Sequence, residues 1–332
     1  VRLVLDHKSG AEFRSRIINA KPIIIDCDPG ADDAIALFLA IAAATQLNIL
    51  GVTTVAGNVP LALTQKNARQ ICELAGRADL SIFAGCPRPL LRPLLTAEEV
   101  HGKTGLDGIT LSEPQMLLQE QHAVHFLIDT LMNSAEDITL ATLGPLTNVA
   151  VAIIQQPLIC SRIKEIVVMG GAIGLGNVTP SAEFNLYVDP HAAQVVFTAG
   201  IPLTLISLDV THQAIATPQR LAAIRALNTP ISAATIGLLD HYGAFDMKRY
   251  GTVGPFLHDP CVIAYLLEPE LFTCRPAAVE IETTSELTMG RTAVDWWQST
   301  DRIPNANIAQ SIDAEKFYHL LTRSLAKLGH QS

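Results

Sequence analysis

Short apolar runs alternate with segments of helical period along most of the chain. "KPIIID" (21–26) reads as a strand and Ala31 to Ala44 as a helix; "LNILGVTTVAG" (47–57) is a second strand, followed by a helix over Leu61 to Ala75. "LSIFAG" (80–85) is a short strand, and a loop rich in Pro and Gly runs from Cys86 to Gly108. A helix over His122 to Asn133, a strand at "ITLATLG" (138–144) and a helix over Leu146 to Gln155 come next. "IKEIVVMGG" (163–171) is a strand with a long loop to Val188, then a helix over Pro190 to Ala199 and a strand at "PLTLISLDVT" (202–211). From Thr217 to about Leu267 the pattern is helical; strands follow at "AAVEIET" (277–283) and "RTAVDWW" (291–297), and a last helix at Ala314 to Leu328. Such alternation predicts right-handed βαβ units: an α/β fold with a mainly parallel, open, Rossmann-like sheet flanked by helices.

The polar residues follow this frame. Asp28 comes after the first strand, Asn58 after the second and Thr142 at the fourth; Met169 and a Gly-rich loop follow the next, and Asp209 the one after. The carboxyl ends of parallel strands share one edge of a sheet, where ligands bind.

Composition narrows the class. At 332 residues, 49% hydrophobic and 17% charged, the chain can bury a large core, and no linker or repeat divides it, so a single domain over 1–332 is expected. Its first twenty residues mix charges without the apolar block of a signal peptide and are read as an N-terminal extension before the first core strand. A net charge of −9 argues against nucleic acid or an anionic membrane as partner, and the longest uncharged apolar run, the 11 residues Ala34 to Ala44, is too short to span a bilayer. Six scattered cysteines (27, 72, 86, 160, 261, 274) with no C-x-x-C pair suit buried thiols in a reducing cytoplasm.

Four aspartates, 26, 28, 32 and 33, crowd the end of the first strand. Carboxylates in excess, with no nearby His or Cys pairing, favour a hard divalent cation, Ca²⁺ or Mg²⁺, although the spacing is not that of an EF-hand loop. Asp32 and Asp33 also fall in the first turn of a helix, where the macrodipole alone favours acids.

The segment "DCDPGADDA" (26–34) resembles the signature of the calcium-dependent, inosine–uridine-preferring nucleoside hydrolases. "TTVAGN" (53–58), "VHGKTGLDG" (100–108), "GPLTN" (144–148), "VVMGGA" (167–172), "GNVTPSAEFN" (176–185), "LDVTHQA" (208–214) and "HDPC" (258–261) match in order. The loop pieces look closest to the pyrimidine-specific ribonucleoside hydrolases of bacteria. The resemblance implies the nucleoside hydrolase fold and an enzyme that splits the N-glycosidic bond of uridine or cytidine into ribose and free base with a Ca²⁺-held water, in nucleoside catabolism and pyrimidine salvage. By the same resemblance Asp28, Asp33, Asp259 and the Thr142 carbonyl are the metal ligands, and Asp28 is the general base. Asp32 and Asn58 hold ribose hydroxyls, with Asp259 also reaching the sugar. Asn177, Glu183 and Asn185 grip the 3′ and 5′ side, and Met169 packs on the sugar. Asp26 supports the loop by hydrogen bonds. The family implies a homo-oligomer, dimer or tetramer.

On the base side, His258 is anchored beside the site by its neighbour Asp259 and can donate a proton or a hydrogen bond to the leaving base. His101 lies in a Gly-flanked loop of the kind that closes over substrates. His191 and His212 are read as structural. Purine-tolerant relatives carry a tyrosine pair on the helix before "HDPC": Tyr242 matches one, while the other position falls near Phe245 or Asp246, a departure that favours pyrimidines. Other readings stay open: a purine-preferring or broad-specificity hydrolase, a non-catalytic Ca²⁺-dependent nucleoside-binding protein, or an aspartyl phosphohydrolase suggested by "DCD". The last usually has Thr or Val where this chain has Gly30, and no later lysine fits it.

Overall fold

A computed structural model describes residues 20–329. The expected N-terminal extension therefore lies, but for Ala20, outside the described residues. Nine strands form one sheet: β1 (Lys21–Cys27), β2 (Leu47–Thr54), β3 (Ile82–Ala84), β4 (Ile138–Thr142), β5 (Ile163–Met169), β6 (Leu203–Ile206), β7 (Phe272–Ile281), β8 (Thr292–Asp295) and β9 (Ala306–Ile312). Their order is β3-β2-β1-β4-β5-β6-β9-β7-β8, parallel from β3 through β9 and antiparallel at the β9–β7 and β7–β8 pairs. Strand order reverses between β1 and β4, which opens a crevice at their carboxyl ends.

Period-two alternation splits the core. Ile23, Ile25, Val167 and Met169 face one side of the sheet; Ile24, Leu140, Ile166 and Val168 face the other. The first side is covered by α1 (Ala31–Ala42), whose residues are all buried. A helix apolar on every side needs cover all round. The sheet supplies part of it; α10 (Pro230–Tyr250), α11 (Pro260–Leu267) and α12 (Ala314–Gly329) supply the rest. Each fully buried residue here, such as Ile35 or Phe38, contributes about 1.5–3 kcal/mol. The result is a rigid seat for the two acids at the start of α1. Helices α2 (Leu61–Leu74), α4 (Ala123–Asn133), α5 (Thr147–Gln155) and α7 (Pro190–Thr198) complete the two layers. Among the described residues, no helix is long and apolar enough to cross a membrane.

Several details differ from the sequence expectation, among them the strand expected over 277–283, which begins earlier, at Phe272. The strand expected through Thr211 ends at Ile206; residues 208–211 form a helical turn, α8 (Leu208–Thr211), whose buried Leu208 and Val210 mimic strand alternation. The helical stretch 217–267 is three helices, α9 (Pro218–Arg225), α10 and α11, each opened by a proline at its first position. Short helices α3 (Glu98–His101) and α6 (Phe184–Val188) sit inside the two expected loops. β9 was not expected: "ANIAQSI" carries too many polar residues for an apolar run, yet it pairs with β6 on one side and β7 on the other.

Candidate active site

The chain leaves β1 at Asp28 and turns through Pro29 and Gly30 into α1. Asp33 closes this turn: its Oδ2 accepts from Gly30 N at 2.9 Å and its Oδ1 from Asp28 N at 3.2 Å. The β2 loop locks onto it. Asn58 donates its backbone N–H to Asp28 Oδ2 at 2.7 Å, and its amide to Asp28 O at 3.2 Å and Asp33 Oδ2 at 3.1 Å. Two glycines make room for the Asp28 carboxylate. A Cβ on Gly57 would lie 2.0 Å from Asp28 Oδ2, and one on Gly144, after β4, 2.3 Å from Oδ1. Asp26 supports the same strand end as expected, accepting from Thr53 Oγ1 at 2.5 Å and Asn148 Nδ2 at 2.8 Å. Thr142 ends β4 with its hydroxyl donating to Val167 O at 3.3 Å, so its side chain is engaged away from the acids.

Oxygens of Asp32, Asp33 and Asp259 lie within 4.8 Å of one another, all three residues being buried. Asp259 arrives at the N-terminus of α11. Asp28, expected among the ligands, adjoins this triple rather than joining it, and its Oδ1 is buried without a hydrogen-bond partner. Burial, then mutual repulsion, drives Asp28 and Asp259 well above the usual carboxylate range and Asp33 up to about 7. Crowded acids, an orphaned carboxylate oxygen and an oxygen-only donor set fit a hard divalent cation.

Above the acids a cavity opens to solvent. Asp32, Asn58, His101, Met169, Asn177, Glu183, Asn185, Tyr242, His258 and Asp259 line it; Asp28, Asp33 and Thr142 lie beneath, with no exposed surface. Several of the lining side chains are held by hydrogen bonds. Glu183 caps α6, accepting from Asn185 N at 2.8 Å and Leu186 N at 3.2 Å, and it also takes Gly171 N at 2.8 Å; burial raises it to about 7 against these bonds. Asn185 donates to Leu143 O at 2.7 Å and Met169 O at 3.2 Å, while Asn177 Oδ1 accepts from Phe184 N at 2.9 Å. Asp209 lies outside the cavity and fixes its Gly-rich rim, accepting from Ile173 N at 2.7 Å and Gly174 N at 3.0 Å.

His101 Nδ1 accepts from Ala31 N at 3.2 Å, one of the orphan donors that open α1, and its ring stacks on Tyr242 at 5.5 Å. His258 Nδ1 lies 2.7 Å from Thr211 Oγ1. Burial lowers both rings to about 4. His212 stacks on Phe256 at 4.0 Å, consistent with a packing role.

Sequence reasoning missed much of the far wall. Phe245, Arg249 and Tyr250 join Tyr242 and Asp246 there, spaced at three, four, seven and eight residues along one face of α10. That periodicity was the available signal. Tyr250 is a second tyrosine on this helix, so a missing tyrosine no longer argues for pyrimidines.

Comparison with known proteins agrees with this arrangement. Residues 23–319 match the family model "Inosine-uridine preferring nucleoside hydrolase". A pyrimidine-specific ribonucleoside hydrolase RihA of Shewanella sp. (strain MR-7) is 46% identical over 308 residues, covering 92% of this chain and 96% of the relative. An uncharacterized protein of Schizosaccharomyces pombe is 47% identical over 308 residues, covering 92% and 99%. Among solved structures, a purine-preferring ribonucleoside hydrolase from Gardnerella vaginalis superposes with a TM-score of 0.87 at 29% identity, covering 94% of this chain and 100% of that one. The chain belongs to the inosine–uridine preferring nucleoside hydrolase family.

Proposed function

We propose that the protein hydrolyses pyrimidine ribonucleosides, uridine and cytidine, to ribose and free base with a bound Ca²⁺. The observation that carries this reading is the buried cluster of Asp32, Asp33 and Asp259 at the floor of a cavity walled by amides, histidines and aromatic rings. The 46% identity to a hydrolase named pyrimidine-specific supports the choice of base.

Asp28, Asp33, Asp259 and the Thr142 carbonyl would hold the cation, with Asp32 close enough to share in it. When bound, a divalent cation supplies Lewis acidity and a template for water and sugar hydroxyls. The chain's own groups do the rest. Asp28, desolvated and fixed by Asn58, takes a proton from the attacking water. Asp32, Asn58 and Asp259 hold ribose hydroxyls; Asn177, Glu183 and Asn185 orient the sugar from the other side, against Met169. His258 and His101 flank the base, and His258 offers its free ring nitrogen to the leaving group.

Release of ribose from a panel of uridine, cytidine, inosine and adenosine tests this reading. Uridine and cytidine are expected to lead. A kcat/KM for inosine equal to or above that for uridine rejects the base assignment, and no ribose from any of the four rejects hydrolysis itself. The proposal also includes one domain, a homo-oligomer and a reducing compartment. The six free cysteines, three of them buried, support the last. Sedimentation of the purified protein checks the oligomer.

A further inference from the structure

Asn67, on α2, has no part in the scheme above. It is 2% exposed, and both hydrogens of its amide are engaged: Nδ2 donates to Pro29 O at 2.9 Å and to Thr104 O at 2.8 Å. Pro29 belongs to the turn that carries Asp28 and Asp33; Thr104 follows His101 in the loop after α3. One planar amide thus clasps the acid turn to the histidine loop. Two glycines let the segments touch. Gly105, at φ +85°, sits where a Cβ would lie 2.8 Å from Asn67 Nδ2 and 3.1 Å from Pro29 O, and a Cβ on Gly30 would lie 2.5 Å from His101 Nδ1. Gln70 and Arg69, also on α2, hold the loop farther on, at Leu111 O, Ser112 O and Met116 O; Asn67 joins it to the turn.

The clasp bears on the imidazole. Ala31 N, on the same turn, donates to His101 Nδ1 at 3.2 Å. A ring nitrogen that accepts carries no proton, so the ring holds its single proton on Nε2; an imidazolium, protonated on both nitrogens, could not accept there. The Nε2–H edge is left for the cavity that His101 lines. We propose that Asn67 is a positioning residue: by clasping the histidine loop to the acid turn it keeps His101 against Ala31 N, as the Nε2–H tautomer, aimed as a donor at the base. This rests on the reading that His101 contacts the base. A bond at 3.2 Å is at the long end of the range and holds a ring poorly by itself. Without the clasp the loop can withdraw, and the tautomer with its proton on Nδ1 competes.

The test is a double-mutant cycle on the Ca²⁺-loaded protein, with kcat on uridine measured in wild type, Asn67→Ala, His101→Ala and the double variant. His101→Ala is expected to lower kcat by ~10²-fold, the low end for a lost proton or hydrogen-bond donor in catalysis. Asn67→Ala should cost about tenfold, as a small misplacement of such a group does. The double variant should match His101→Ala within about threefold, because Asn67 acts only through that ring. Losses that multiply, to ~10³-fold in the double variant, assign Asn67 to the fold alone and overturn the proposal. Nitrogen NMR of the labelled ring is the second readout. Wild type should show a protonated Nε2 and a bare Nδ1, and Asn67→Ala a mixture of tautomers; a proton on Nδ1 in wild type, or an unchanged ring in the variant, overturns the proposal. Should Asn67→Ala not fold, Asn67→Ser, whose hydroxyl can keep one of the two bonds, is read through the same cycle by the same criteria. Full activity in His101→Ala overturns the proposal and leaves hydrolysis standing. No ribose from wild type on any nucleoside rejects the hydrolase reading instead, and the ring spectra still decide for or against the clasp.

Discussion

Thr211 Oγ1 and His258 Nδ1 lie 2.7 Å apart, joining the turn after β6 to the start of α11. The contact occupies one ring nitrogen and leaves Nε2 to the cavity. With its pKa lowered to about 4 by burial, the imidazole is neutral at pH 7 and donates through Nε2–H when Thr211 donates to Nδ1. His258→Ala is expected to lower kcat on uridine by ~10²–10³-fold with cation binding retained, since Asp259 stays in place. Thr211→Val, which frees the ring to rotate, should cost about tenfold. Calorimetric titration with Ca²⁺ beside steady-state kinetics separates the two effects, and full activity in His258→Ala removes this residue from the chemistry.

Asp28 and Asp33 share one turn but are assigned different duties. Asp28→Asn should reduce kcat by ~10²–10⁴-fold, the range for a lost general base. Asp33→Ala should lose cation and activity together, because the same carboxylate also closes the turn through Gly30 N and Asp28 N. Chelation should silence the wild type, and add-back of Ca²⁺, Mg²⁺, Mn²⁺ and Zn²⁺ in parallel identifies the ion. Undiminished turnover after exhaustive chelation would contradict the metal assignment.

The crowded acids also make a pH prediction. A carboxyl whose folded pKa is raised, Asp33 to about 7 and Asp28 and Asp259 further, contributes stability that is full below its unfolded value near 4 and lost as pH rises through the folded value. Buried His101, His212 and His258, lowered to about 4, act in the opposite sense between about 4 and 6.5. The histidine contribution is common to loaded and chelated protein and cancels in their difference. A cation competes with protons for the acids, so the gap in Tm between loaded and chelated protein should widen from pH 5.5 to 7.5. A gap that narrows with pH would refute the account.

Hydroxyl recognition gives a substrate test. Asp32 and Asn58 are buried, polar and assigned to ribose, and a site built for a hydroxyl strands its partners when that hydroxyl is absent. Uridine should exceed 2′-deoxyuridine in kcat/KM by ~10³-fold or more. Comparable values would remove these residues from the sugar.

The floor of the site was legible in sequence because local grammar writes it. Asp28, Asp32 and Asp33 follow a β-branched run and open a helix, and Asn58 and Thr142 mark the ends of neighbouring strands. The far wall was less legible. Asp246 and Tyr250 lie on α10, whose face toward the cavity is set by packing against α1 and not by any motif. β9 was hidden for a related reason: its polar residues are tolerated because both neighbouring strands satisfy its backbone, and that pairing joins segments far apart in the chain.

Asp33 and Asp259, more than two hundred positions apart, come together in the buried acid cluster. A growing chain thus exposes Asp26, Asp28, Asp32 and Asp33 long before the segment bearing Asp259 is made. Docking of α11 on α1 covers part of that helix and brings the last acid in the same step. Completion of the fold and assembly of a cation seat are therefore one event, so a chain cut short before residue 259 forfeits both the helix that covers α1 and the acid that closes the site.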